Sequence, residues 1–326
     1  MNLKADYVPW PHDFLRSLHG LPDLPPDHEK SLQQAIARLK LPPGLAATLA
    51  RLYYPLAVYL LERLAEIPSP LVLGINGAQG TGKSTAARIL KVLLERGFGR
   101  HVCAISIDDL YLTREARGEL AINVHPLLAT RGVPGTHNVN LGLRVLESLQ
   151  KAGPHSETVI PRFDKAHDQP FPCADQEIFV GHPDFILFEG WCVGAVPEPL
   201  SALTRPVNEL ERREDGDGEW RRYVNKCLAD YQPLFQKIDI LAMLKAPSFD
   251  KVYEWRALQE KELQSQLSKT ELRNSRLMSG EKLKRFLMHY ERLTRWMLTE
   301  MPDRADFTFE LDDKHSVEKI TVKVVR

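Results

Sequence analysis

Leu71-Val72-Leu73-Gly74-Ile75-Asn76-Gly77-Ala78-Gln79-Gly80-Thr81-Gly82-Lys83-Ser84 is the stretch that decides the fold. Its first six residues form a short apolar run, suited to a strand buried on both faces. Its last eight match G-x-x-x-x-G-K-S/T, and a helical pattern over residues 83 to 96 follows directly, which is the context the motif needs. The glycines let the backbone curl so that successive N–H groups point inward at phosphate oxygens, with the positive end of the next helix behind them. Gly77, Ala78, Gln79, Gly80, Thr81, Gly82, Lys83 and Ser84, with Thr85 after them, are the expected nucleotide-binding set. Lys83 is expected to reach the β- and γ-phosphates, and the Ser84 hydroxyl to take a place on magnesium. The competing reading is a chance glycine-rich turn before a helix, and the flanking strand and helix argue against it.

Three more buried-strand runs lie outward from this stretch, at Val102–Ile107, Asp184–Phe188 and Ile238–Leu244. Helical patterns at 83 to 96, 140 to 151 and 219 to 236 fall between them. Strands alternating with helices predict a parallel sheet with helical crossovers. Upstream, residues 1 to 27 are proline-rich and read as an extended arm, and Asp27–Ile67 reads as two helices separated by Leu41-Pro42-Pro43-Gly44. Downstream, Ser248 to about Trp296 is charged and helical in pattern, fitting either a solvated face or a lid over phosphates. Glu209–Glu219 reads as a mobile surface loop, and Phe307–Leu311 with Ile320–Val324 as a terminal hairpin or edge strand.

Of the 326 residues, 43 are basic and 43 acidic, so no net field points to nucleic acid or an anionic membrane. The four cysteines, Cys103, Cys173, Cys192 and Cys227, form no CxxC pair, which argues against zinc and disulfides and for a reducing, cytoplasmic setting. The start, MNLKADYVPWPHDF, has neither the basic nor the apolar region of a secretory signal. No run approaches the ~18 apolar residues that span a bilayer, so a soluble protein without membrane or nucleic-acid partners is expected.

The run Asp184–Phe188 leads into Glu189-Gly190, a carboxylate at the C-terminal edge of a buried strand, where open parallel sheets bind ligands. Glu189 therefore fits the role of holding magnesium or orienting the attacking group; a helix cap is the alternative. Ser106-Ile107-Asp108-Asp109-Leu110-Tyr111 brings two more carboxylates to that edge. Transfer to an alcohol wants a carboxylate that orients the hydroxyl and accepts its proton, and Asp108 is the candidate base. Asp109 fits a helix cap equally well. Arg131-to-His137 and Pro161-Arg162-Phe163-Asp164-Lys165 are loop-like segments whose Arg, Lys and His suit an anionic substrate; each by itself also fits a surface turn. A Ras-type base-reading N-K-x-D motif is missing, since Asn225-Lys226 is followed by Cys227-Leu228.

Taken as a series, Gly77-to-Ser84, Ser106-to-Thr113, Arg131-to-His137, Pro161-to-Lys165, Phe188-Glu189-Gly190-Trp191, Val224-Asn225-Lys226 and Trp255-to-Glu260 resemble the D-glycerate 3-kinase family. More distantly they resemble uridine kinase, phosphoribulokinase and pantothenate kinase. The resemblance runs from about residue 68 to the C-terminus, and the family's catalytic aspartate falls on Asp108. Leu110 stands where a Phe is usual, and the segment Lys261–Leu277 is longer than the corresponding lid region.

The resemblance implies a P-loop three-layer α/β/α fold with a mostly parallel sheet, N-terminal helices and a helical lid region. It implies ATP as donor, Mg2+ as cofactor and a small alcohol, D-glycerate foremost, as acceptor. Residues 1–67 are expected as an arm and helices packing on the core, and 68–326 as the kinase domain with its lid at about 248–300. The catalytic set is Asp108, Lys83, Glu189 and Arg256; the substrate set is Asp109, Tyr111, Arg131, His137 and Arg162; the metal set is Ser84, Glu189 and Asp108. Other readings of the same loop are a kinase for a nucleoside, pantothenate-like compound or sugar, and a switch that hydrolyses ATP without an acceptor.

Overall fold

The computed structural model describes residues 10–21, 25–39, 41–42, 44–67, 69–266 and 280–323, with side chains left aside over 262–266. Parts of the expected arm (1–9 and 22–24), most of the long segment in the expected lid (267–279), and Val324 at the end of the last expected strand lie outside the described residues.

Six strands form the central sheet: β1 Leu71–Gly77, β2 Val102–Ser106, β3 Phe185–Gly190, β4 Ile240–Lys245, β5 Phe307–Leu311 and β6 Val317–Val322. Their order is β6-β5-β4-β1-β3-β2, parallel throughout except for the antiparallel β5–β6 hairpin at one edge. Every residue of β1 is buried, as a strand covered on both faces must be. The two-residue period of the pleat divides the core in two. Leu71, Leu73, Ile75, Leu187 and Leu244 face a cluster containing helices Leu45–Leu64 and Lys83–Val92. Val72, Ile186, Phe188, Leu241 and Met243 face the other, built on helices Val139–Lys151, Glu219–Phe235 and Gly280–Glu300. The result is the three-layer α/β/α sandwich expected. Among the described residues no helix is long and apolar enough to cross a membrane.

Two expectations need correction. The segment read as an extended arm holds a helix, His12–Ser17, and buries Trp10, Phe14 and Leu18. Trp10 stacks on Phe14 at 4.9 Å between ring centres, and both rings meet Phe307 of β5 edge-on. The prolines hid an apolar stripe at a spacing of four. The stretch read as a mobile loop, Glu209–Glu219, begins as helix Glu209–Glu214. Glu211, fully buried, receives Arg292 Nε at 2.7 Å, and Asp215 receives Arg221 at 2.9 Å and the backbone N–H of Trp220 at 2.8 Å. Charges that read as solvated are matched by partners, Arg292 lying 81 residues from Glu211 and Arg221 six from Asp215, which is what lets them be buried.

Ser248–Trp296 resolves into helices Phe249–Gln266 and Gly280–Glu300. The second buries Leu283, Leu287, Tyr290, Leu293 and Met297 and is therefore part of the core rather than a solvated face.

Candidate active site

The sheet places three functional segments side by side. Residues partnered in the parallel ladder are Gly77 with Leu244, Asn76 with Gly190, and Ser106 with Glu189, so the C-terminal ends of β1, β3 and β2 open on one edge. Buried Asn76 fastens that edge by donating from Nδ2 to the carbonyls of Trp191 (3.2 Å) and Val193 (2.8 Å).

Beyond β1 the chain turns through Gly80 (φ 84°) and Gly82 (φ 88°), a left-handed conformation that glycine alone adopts without strain, and enters helix Lys83–Val92. Thr81 is buried and donates from Oγ1 to the Ala78 carbonyl at 2.9 Å, closing the loop on itself. Ser84 Oγ donates to Glu189 Oε1 at 2.9 Å, while Glu189 Oε2 is buried without a hydrogen-bond partner. An orphaned carboxylate oxygen beside a hydroxyl at the head of a phosphate loop is the donor set that a magnesium ion shared with phosphates uses, one carboxylate and one hydroxyl being enough. Among the described residues there is no cluster of three or more metal-ligating side chains.

Beyond β2 the chain makes a single 3₁₀ turn, Ile107–Leu110, whose first N–H groups are capped by Ser106: its Oγ accepts from the Asp108 N–H at 3.2 Å. The turn points the two aspartates different ways. Asp108 Oδ1 accepts from the Tyr111 hydroxyl at 2.8 Å and Oδ2 from Lys165 Nζ at 2.6 Å. Burial works against ionising Asp108, but Lys165, Lys83 and the two hydrogen bonds overcome it and hold the carboxyl well below its usual range. Asp109 accepts from Arg162 at 3.0 Å and from the Phe163 N–H at 3.1 Å, and burial raises its pKa.

A cavity of about 720 Å³ runs over these groups. Gln79, Gly80, Gly82, Lys83, Ser84, Thr85, Asp108, Tyr111, Arg131 and Arg256 line it, so most of the expected site residues share one chamber. Gly77, Ala78 and Thr81 of the loop stand outside that lining, as do Glu189, which meets it through Ser84, and Asp109, His137 and Arg162. Arg162 is spent on Asp109 and Glu177, and together they anchor the short strand Phe163–Asp164 that leads into the turn carrying Lys165. His137 is buried, stacked on Tyr111 at 4.6 Å and bonded through Nδ1 to the Tyr231 hydroxyl at 2.7 Å; burial lowers its pKa to about 4. Both act from behind, on the residues that do face the chamber.

Arg131 reaches the chamber from the loop before His137. Its guanidinium lies over the Phe163 ring at 5.6 Å and pairs with Asp168, which adopts φ 62° and is also held by Arg117 at 2.8 Å. Arg117 is almost fully buried and donates to the carbonyls of Leu112, Ala129 and Asp168. One guanidinium thus ties together the segments that carry Tyr111, Arg131 and Lys165. Next to Arg131, Gly132 is required by contact, because a Cβ there would meet the Tyr290 hydroxyl at 1.9 Å. Tyr290 donates to the Arg131 carbonyl at 3.0 Å and Trp191 Nε1 to the Gly132 carbonyl at 2.9 Å.

Helix Phe249–Gln266 closes the chamber on the P-loop side. A Cβ on Gly80 would lie 3.3 Å from Trp255 Cβ, so this helix rests directly on the loop. Arg256 faces the chamber, paired with Glu260 and donating to Gln259 Oε1 at 2.8 Å. His315, in the β5–β6 turn, lies against Trp255 with ring centres 4.5 Å apart.

Lys165, Trp191, Trp255, Tyr290 and His315 line the cavity and were absent from the expected set. Lys165 belongs to a segment whose Lys and Arg suit an anionic substrate, while Trp191 and Trp255 sit inside motif segments whose other residues drew attention. Tyr290 and His315 carry no signal, since the fold alone brings them in.

Fold and chamber together define a P-loop kinase. No family model matches the sequence. The uncharacterised kinase mug58 of Schizosaccharomyces pombe is 37% identical over 228 residues, 68% of this chain and 78% of that one. The chloroplastic D-glycerate 3-kinase of Arabidopsis thaliana is 30% identical over 236 residues, 67% of this chain and 49% of the plant protein. The solved D-glycerate 3-kinase from Cryptococcus neoformans matches with a TM-score of 0.67 and 22% identity over 82% of this chain and 98% of that one, a likeness of fold. The chain belongs to the D-glycerate 3-kinase family, and is an ATP-dependent phosphotransferase that acts on an alcohol group.

Proposed function

We propose that this chain transfers the γ-phosphate of ATP to a hydroxyl of a small hydroxy acid, with D-glycerate the first acceptor to test. The observation that carries the reading is Asp108, an ionised carboxylate held between Tyr111 and Lys165 in the same chamber as Lys83, Ser84 and Arg131. The identity with a plant protein named D-glycerate 3-kinase supports the choice of acceptor.

In this reading the P-loop amides and Lys83 grip the phosphates; Ser84 and Glu189 would hold Mg2+, which would supply neutralisation of the phosphate charge. Asp108, its oxygens already engaged by Lys165 and Tyr111, serves the acceptor rather than the metal. It orients the hydroxyl whose oxygen bonds to the γ-phosphorus. The bond from that phosphorus to the bridging oxygen breaks, its electron pair leaves with ADP, and the hydroxyl proton passes to Asp108. Lys83 and Arg256 balance charge on the transferring group, and Arg131 receives the acceptor's carboxylate.

A second cavity of about 570 Å³ meets the first at Gly82, Thr85 and His315 and is lined by Leu45, Leu49, Leu52, Leu244 and Val317. Its apolar walls suit a nucleobase, so Leu41 and residues 45–53 of the N-terminal segment complete the ATP site in this reading. The described cysteines are all free, in keeping with a reducing, cytoplasmic setting.

ADP release, followed by a coupled assay with MgATP alone and with a panel of hydroxy acids, sugars, nucleosides and pantothenate, tests the proposal. Stimulation by D-glycerate with formation of phosphoglycerate is expected. Stimulation by a neutral alcohol and not by hydroxy acids, or hydrolysis indifferent to every acceptor, overturns it.

A further inference from the structure

The two partners of Asp108 are held very differently. Tyr111 is buried, stacked on His137 at 4.6 Å and met edge-on by Phe163 at 5.2 Å, so its hydroxyl has one place to be. Lys165 has a side chain 58% exposed and reaches Asp108 from a turn, Asp164–Asp168, outside the main sheet. An ammonium on a flexible four-carbon stem can exchange one anion for another nearby without moving the backbone.

The other cation on this side of the chamber cannot do the same. Arg131 is pinned by Asp168 and by the ring of Phe163, and Asp168 is itself pinned by buried Arg117. Arg131 is therefore a fixed receiver, whereas Lys165 is a cation whose partner is the acid expected to orient the acceptor.

We propose that Lys165 is the specificity-determining residue of the acceptor site: it occupies Asp108 until an acceptor's own anionic group draws the ammonium away, and so couples release of Asp108 to the arrival of a hydroxy acid. The inference rests on the acceptor reading given above. An anion close to the hydroxyl takes over Lys165, and Asp108 is left to orient that hydroxyl and accept its proton. A neutral alcohol brings no competing anion and leaves the ion pair in place. Water is refused for the same reason. Its attack would form an O–P bond at the γ-phosphorus, expel ADP with the bridging electron pair and hand its proton to an acid that Lys165 keeps engaged.

The test compares ADP release by the full chain and by Lys165→Met, Lys165→Arg and the double variant Lys165→Met with Asp108→Asn. Each is measured with MgATP alone, with D-glycerate and with glycerol. In Lys165→Met, acceptor-independent ADP release is expected to rise about fivefold or more, because a positioned carboxylate is worth ~10²-fold or more when free to act. The preference for D-glycerate over glycerol in kcat/KM is expected to fall about tenfold or more, mainly through the KM for D-glycerate, the loss of one charged contact. Lys165→Arg should recover part of both, and the double variant should lose the extra hydrolysis.

The exposure of Lys165 keeps its substitution clear of the core, and thermal melting with ATP titration checks that the Met variant is folded and binds nucleotide normally. Background release at or below the parent's level overturns the proposal, and so does an unchanged preference for the acid over the alcohol. The hydrolysis comparison needs no acceptor. If the parent phosphorylates neither acid nor glycerol, the acceptor reading fails, and the background rates still decide the role of Lys165 toward Asp108.

Discussion

Ser84 Oγ and Glu189 Oε1 stand 2.9 Å apart although 105 residues separate them in sequence, and the second oxygen of Glu189 is buried with no partner. The first helical turn after β1 and the end of β3 are thereby joined at the point where the phosphates are expected. A carboxylate left half satisfied in a protein interior costs stability unless something occupies it in the working state. Glu189→Gln preserves the shape and an acceptor for Ser84 while removing the charge. We expect turnover with MgATP to fall about 100-fold or more, with ATP binding in EDTA unchanged. Magnesium titrations of turnover, paired with calorimetry in EDTA, check this; an unaltered magnesium dependence removes Glu189 from the metal.

Asp108→Asn retains the hydrogen bond from Tyr111 and discards both the proton acceptor and the ion pair with Lys165. Turnover is expected to drop ~10²-fold or more, with nucleotide affinity nearly intact. Steady-state kinetics beside ATP titration separates the two effects, and normal turnover in this variant rules Asp108 out as the base.

Arg117 is a buried cation whose partners are one carboxylate and three carbonyls. Arg117→Met leaves Asp168 short of one of its two cations and three carbonyls without their donor. Breaking a buried pair from one side costs about 3 kcal/mol or more, readable as a lower denaturation midpoint. The functional signature is a KM for the acceptor that rises more than the KM for ATP, because Tyr111, Arg131 and Lys165 all hang on the segments that Arg117 joins. Arg117→Lys keeps the charge but not the fork and should fall between the two. Equal effects on both KM values would make Arg117 a residue of stability alone.

Much of the architecture is legible in the chain because a buried parallel strand writes its own signature. Leu71–Gly77, Val102–Ser106 and Phe185–Gly190 are unbroken apolar runs, and each stands within two residues of where its run predicts. The P-loop is legible because its spacing encodes its geometry. Charged residues mislead in both directions. Glu211 and Asp215 read as surface and are buried, since the fold brings Arg292 to Glu211 from 81 residues away, and Arg221, six residues on, turns back to Asp215 from the next helix. Arg162 reads as a substrate ligand and lies behind the chamber, while Lys165, three residues on, reaches Asp108. Tyr290 and His315 enter the chamber from a helix and a hairpin turn with no motif of their own. Strand ends place a site's backbone; which side chain turns inward depends on packing that a linear reading does not hold.

Nucleotide affinity probes the base-side reading. His315 and Trp255 lie against each other beside Gly80, at the junction of the two cavities. His315→Ala is expected to raise the KM for ATP about fivefold with kcat little changed, the loss of one stacking or packing contact of about 1 kcal/mol. Leu49→Asp, which puts a charge into the second cavity, should weaken ATP by more than it weakens inorganic triphosphate. Equal weakening of both ligands would mean that the base sits elsewhere.

Acid stability reports on the buried histidines. His137 and His289 are both pushed by burial from an ordinary 6.5 down to about 4. Below pH 6.5 the unfolded chain therefore takes up protons that the folded chain refuses until near pH 4. Stability is complete above 6.5 and is lost as the pH falls through that window. At pH 5.5 the loss is about 1.4 kcal/mol for each histidine. Asp109, Glu198 and Asp239 have pKa values raised by burial and act in the opposite sense, their contribution to stability growing as the pH falls from the raised folded value towards about 4, so they offset part of the histidine loss. Melting temperatures from pH 7.5 to 5.5 should fall for the parent chain and fall much less for a variant carrying His137→Gln and His289→Gln. A slope that survives both substitutions would assign the acid sensitivity to other groups.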